Sequence, residues 1–208
     1  MTIGQDQTQA VTAFSRFGLG PRPGDLARAA RDPRGVLVDE LRTANVALIR
    51  NGALPGGVAA LQADYLDQQA RRIERQKMAM APAVEKVAAD PQPKPQAAKP
   101  APPKPNVEQA LFRAEAGARA AMQLQAPAGF VERLVAFWSN HFAVSVAKSR
   151  ALLVLAGPFQ REAVRPNVLG KFSTLLRAAE SHPAMILFLD NQRSIGPNAA
   201  AGKFAGAG

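Results

Sequence analysis

The sequence predicts an all-α fold, an irregular multi-helix bundle interrupted by one extended insertion. Three observations predict it. Apolar residues recur at spacings of three and four, as they do along one face of a helix. Helix-starting residues (Asp32-Pro33, Asn106, Ser149, Asn167, Pro183) stand in front of these segments. Between two such segments, residues 81–105 hold eight prolines and four lysines, a composition that forbids helix and sheet ladders alike.

Taken in order, residues 8–17 form a short helix with Val11, Phe14 and Phe17 as its apolar face. The stretch GLGPRPG at 18–24 breaks it. Asp25 caps a helix carrying Leu26 and Ala29, and Asp32-Pro33 opens another with Val36, Leu37 and Leu41 inward. After Pro55-Gly-Gly57, residues 58–80 read as one long helix whose basic end complements the negative pole of its dipole. Residues 81–105 then read as a flexible, extended insertion without an aromatic platform for stacking bases. Asn106 caps a helix over 107–125, and the next runs from about 127 to 143. There Phe130, Leu134, Phe137 and His141 follow at spacings of four, three and four, so His141 is expected to project inward from the apolar stripe. Ser149 starts a helix through Leu155 that Gly157-Pro158 ends, and residues 159–164 add a further turn or two. Asn167 caps residues 168–181, with Leu169, Phe172, Leu176 and Ala179 on one side. Pro183 opens the last helix, which Asp190-Asn191 close, before a glycine-rich tail over 192–208 that reads as a loop cut short. The helical domain is thus expected over 1–80 and 106–191.

The bulk numbers narrow the function classes. The chain has 208 residues, enough for one domain with tails, and its 47% apolar content can fill a core. Cysteine is absent, which removes disulfides, thiolate ligands and thiol nucleophiles. A net charge of +10 favours anionic ligands or partner proteins, yet the arginines are dispersed and no run of five basic residues occurs. Specific nucleic-acid binding is therefore not expected. The longest apolar run, 151–157, cannot span a bilayer, and MTIGQDQTQAVTAF lacks the basic start and apolar core of an export signal. A cytoplasmic location is the expectation.

Two motif matches fail on inspection. Between Gly196 and Lys203 five residues separate the glycines where a phosphate-binding loop has four, and Phe204 stands where a magnesium-binding hydroxyl belongs. Ser145-Val-Ala-Lys148 has the spacing of a penicillin-binding nucleophile motif but lacks its partner motifs. What remains is a dispersed set at helix ends and turns. His141, Glu162, Arg165, His182 and Asp190 are the candidate catalytic residues, and Asn191 and Asn198 the candidate binding residues. In an enzyme, a histidine would be the general base and Arg165 or a carboxylate would orient an anionic group. No close ligand pair such as HExxH is present, so no metal and no cofactor is assigned.

The segments FSRFGLGPRPGDL, AFWSNHFAVS, AGPFQREAVRPNVLGKFSTLL and SHPAMILFLDNQRSIGPN resemble the bacterial family called domain of unknown function 1800. The likeness covers most of the chain apart from the insertion. It implies a predominantly helical protein, longer than this chain, in which the GPN loop leads into a further helix bearing acidic residues and a histidine. Some members of that family are exported. The resemblance supports the fold and the inter-helix polar pocket and assigns no reaction. The competing reading is a non-catalytic scaffold that engages an acidic polymer or partner protein through the basic surface.

Overall fold

The computed structural model describes residues 5–80 and 106–196. Among them the regular structure is entirely helical. The helices are α1 (Gln5–Thr12), α2 (Asp25–Ala29), α3 (Pro33–Arg42), α4 (Gly57–Met80), α5 (Val107–Gln125), α6 (Phe130–His141), α7 (Arg150–Phe159), α8 (Phe172–Glu180) and α9 (Pro183–Phe188). The expected insertion at 81–105 and most of the expected tail lie outside the described residues.

Several helix starts follow from the residues identified in the sequence. Asp32 accepts the Gly35 N–H at 2.7 Å with Pro33 in the first turn. Ser149 likewise accepts the Leu152 N–H at 3.2 Å. Asp25, by contrast, lies inside α2, where Gly24 at φ 88° takes the cap position. Its carboxylate instead accepts the Arg22 N–H at 2.9 Å. Burial alone would raise the Asp25 carboxyl, but the Arg22 hydrogen bonds and the Arg22 and Arg28 charges outweigh it and hold the pKa below its usual value.

α7 corrects the expected break at Gly157-Pro158. The helix runs through Pro158 to Phe159, continues as a π turn over Gln160–Val164 and closes as a 3-10 turn over Arg165–Asn167. A proline inside a helix costs about 3 kcal/mol. Here Leu152, Leu155, Phe159, Ala163 and Val164 are all buried along the continuous segment, and that burial offsets the cost. α7 is the axle of the fold: α4, α5 and α9 all pack on it. α8 begins at Phe172 rather than after Asn167, whose side chain donates to the Ala163 carbonyl at 2.8 Å.

The main core gathers Val131, Val135, Leu152, Leu155, Phe159, Val164, Leu175 and Met185. A smaller cluster of Ala10, Phe14, Ala29 and Ala128 seats the N-terminal helices. The α6 stripe lies one residue away from its expected register, and the α8 stripe keeps Ala179 but takes Leu175 in place of Leu176. On α6 the inward residues are Val131, Val135, Trp138 and Phe142, while Phe137 is 60% exposed. On α8, Leu175 and Ala179 face the core and Phe172 is 53% exposed. Among the described residues no helix is long and apolar enough to cross a membrane.

Candidate functional site

Arg165 lies deepest of the sequence-predicted site residues. Its Nη1 donates to Glu132 Oε1 at 2.7 Å and its Nη2 to Glu132 Oε2 at 2.9 Å. Nη1 also reaches the Ala47 carbonyl at 2.9 Å, and Nε reaches Gln160 Oε1 at 3.3 Å. The two charged side chains are 0% and 2% exposed, so this is a fully desolvated, bidentate pair. It joins the turn before α4, helix α6 and the end of the α7 axle.

Glu162 and His182 are the one predicted pair that meets. The imidazole Nδ1 accepts the Ala184 N–H at 3.1 Å and so caps α9. A nitrogen that accepts carries no proton, which puts the hydrogen of the neutral ring on Nε2, 3.5 Å from Glu162 Oε2. Phe159 packs against the ring at 5.2 Å. Burial lowers the His182 pKa, with the Glu162 carboxylate partly opposing it. Glu162 in turn accepts the Gly57 N–H at 2.9 Å, at the positive end of the 24-residue α4. The expectation of a histidine as general base therefore meets a plain obstacle at His182. One nitrogen is already an acceptor for the backbone, and the other faces an anion. The ring holds two helix ends together.

His141 is corrected most clearly. It sits exposed at the end of α6, where its ring lies parallel to Phe137 at 6.5 Å and meets Phe142 edge-on at 4.8 Å. It makes no hydrogen bond or ion pair among the described residues. The cause is the one-residue register shift of the α6 stripe: once Val135 and Trp138 turn inward, residue 141 turns out. Asp190 is also at the surface, in the left-handed conformation at φ 58°, and pairs with Lys148 at 2.6 Å. The Lys148 hydrogen bond lowers its carboxyl pKa. Asn191 opens an exposed 3-10 turn, and Asn198 lies outside the described residues. Among the described residues, no group of three His, Asp or Glu side chains could hold a metal ion.

The space between helices lies elsewhere. A cleft of about 480 Å³ opens between α5, α6 and α7, with Phe112, Phe142, Phe159 and Val144 among its walls. That volume is within the usual range for small-molecule sites, roughly 300–1,000 Å³. Gln160 and Ser139 line it as well. The Gln160 amide is fixed at both ends, its Oε1 accepting from Arg165 and its Nε2 donating to Ser139 Oγ at 2.8 Å. A buried relay Glu132–Arg165–Gln160–Ser139 thus ends at the cleft.

Sequence reasoning missed Glu132, Gln160, Ser139, Glu40 and Glu115. Glu40 is 2% exposed and accepts the N–H groups of Ala128, Phe130 and Val131, which caps α6 from across the fold. Glu115 is held by Arg161 at 2.8 Å. The available signal was a carboxylate inside an apolar helical run, FVERLV for Glu132 and VLVDEL for Glu40, which demands a partner if buried.

No curated protein and no solved structure matches the chain. A family model does match, over residues 12–200, from the end of α1 to beyond the turn that follows α9. Helices α2 to α9 and the four quoted segments fall inside that match, so the chain belongs to the family described as "Protein of unknown function (DUF1800)".

Proposed function

We propose that this chain is a small-molecule binding domain whose site is the cleft between α5, α6 and α7. The observation that carries this reading is the concave, aromatic-walled space, lined on one side by Gln160 and Ser139, the end of a polar relay that holds both in place. Such a relay holds the orientation of Gln160 and Ser139 without cost when a ligand arrives. Arg165 is then a positioning residue behind Gln160. Glu162 and His182 act as braces for α4 and α9. A basic docking surface is the weaker reading, because no run of five basic residues occurs and Arg22, Arg28, Arg71, Arg150 and Arg161 are each tied to a carboxylate.

The test fills the cleft. Ala116 is an exposed α5 residue on its lining, so Ala116→Trp places an indole there without disturbing the core. A neutral apolar fluorophore such as N-phenyl-1-naphthylamine should bind the unaltered protein saturably at one site. The variant should bind at least about tenfold more weakly, as loss of a buried aromatic contact predicts, with Tm within about 2 °C. Non-saturable binding, or equal affinity in the variant, would overturn the reading.

A further inference from the structure

Resting on that reading of the cleft, we infer that its ligand is an alkyl carboxylate, the chain lying against the aromatic walls and the head group on Arg119. The polar atoms around the cleft have been sorted by the fold into spent acceptors and free donors. Gln160 Oε1 is taken by Arg165 Nε, so the amide turns its nitrogen toward Ser139, and one of the two Nε2 hydrogens stays unspent. Ser139 Oγ receives the other and keeps its own hydrogen to give. Glu115 is the only acid among the lining residues, and both its oxygens are held by Arg161, at 2.8, 3.2 and 3.4 Å. What the cleft offers an incoming molecule is therefore hydrogen-bond donors.

Arg119 supplies the charge. It stands one helical turn beyond Glu115 on the same face of α5 and lines the cleft. Arg150, Arg161 and Arg165 all have carboxylate partners, whereas Arg119 makes no ion pair or hydrogen bond among the described residues. An unpaired guanidinium beside an apolar hollow suits one kind of molecule, an anion with a hydrocarbon body. The planar fork favours a carboxylate, which it can grip with two parallel bonds. Gln123, a further turn along, can rotate its amide to add a donor.

Calorimetric titration with decanoate and decanol, which share a hydrocarbon tail, separates this inference from the reading beneath it. Decanoate is expected to bind about tenfold or more tighter than decanol, the scale of a hydrogen bond to a charged group. Arg119→Gln should bring the two within about threefold, and Arg119→Lys should keep most of the difference. Both variants retain a good helix former at an exposed position, so circular dichroism should match the unaltered protein. Salt gives a readout independent of any variant: from about 0.01 M to about 1 M, decanoate should weaken and decanol should not. If neither compound binds, the cleft reading itself fails. If decanol binds as tightly as decanoate, or Arg119→Gln leaves the preference intact, only the carboxylate assignment is overturned.

Discussion

At the scale of the residue, the energetics are set by ions placed where water cannot reach. Removing one member of a buried pair leaves the other uncompensated, which costs about 3–5 kcal/mol, while replacing both with apolar groups is often neutral. Glu132→Gln should therefore lower unfolding free energy by about 3–5 kcal/mol, and Glu132→Leu with Arg165→Met should recover most of the loss. Chemical denaturation of the unaltered protein, the single variant and the double variant measures it, and equal losses in single and double variants would contradict it. His182 gives the pH counterpart. Its folded pKa lies below the unfolded value of about 6.5, so the unfolded chain takes up the proton first and stability falls as pH drops below about 6.5. His182→Asn retains a capping acceptor without a titrating ring, and its melting temperature should lose that part of the pH dependence. Arg165 and Glu162 could be read from the sequence as polar groups between helices. Their partners could not, because Glu132 lies 33 residues from Arg165 and Gly57 lies 105 from Glu162. Nothing in local spacing encodes such distances.

Helices show where periodicity is informative and where it is not. The lengths of α4 and α5, the caps of α3 and α7 and the start of α9 at Pro183 were legible, since each depends on neighbours within four residues. Facing was not. In α6, the sets 130-134-137-141 and 131-135-138-142 share the same spacing and are both largely apolar, so the pattern alone cannot choose between them. Packing chose the second, with Trp138 against Phe142 at 5.9 Å and against Phe172 at 5.5 Å. Pro158 misled for a related reason: it breaks a helix only where burial on both sides fails to outweigh the lost hydrogen bond. Gly157 beside it admits α5, because a Cβ there would collide with the Glu115 side chain. Gly157→Ala should gain about 1 kcal/mol of helix propensity yet lose more by pushing Glu115 off Arg161. A net destabilisation of about 1–3 kcal/mol by thermal melting is expected, and a more stable variant would refute the close approach.

Over the whole molecule, the 150–167 segment gathers long-range ties from residues before 81 and after 105 alike. Arg150 binds Asp64 of α4 at 2.8 Å and Glu108 of α5 at 2.7 Å. The Asp64 hydrogen bond raises the Arg150 pKa, with burial opposing it. Arg161 adds the Pro55 carbonyl at 2.6 Å, and Arg165 adds Ala47. Arg150→Met strands the buried Glu108 carboxylate and leaves Asp64 with Gln68 alone, and should cost about 2–4 kcal/mol, measured by urea unfolding. A loss within about 0.5 kcal/mol would mean the cross-tie carries no weight. The same wiring has an outcome beyond single substitutions. Residues before 81 and after 105 are stitched to each other by side-chain hydrogen bonds and ion pairs. Two polypeptides expressed separately, one ending at Met80 and one starting at Asn106, should find each other in a test tube and co-purify as a stoichiometric complex.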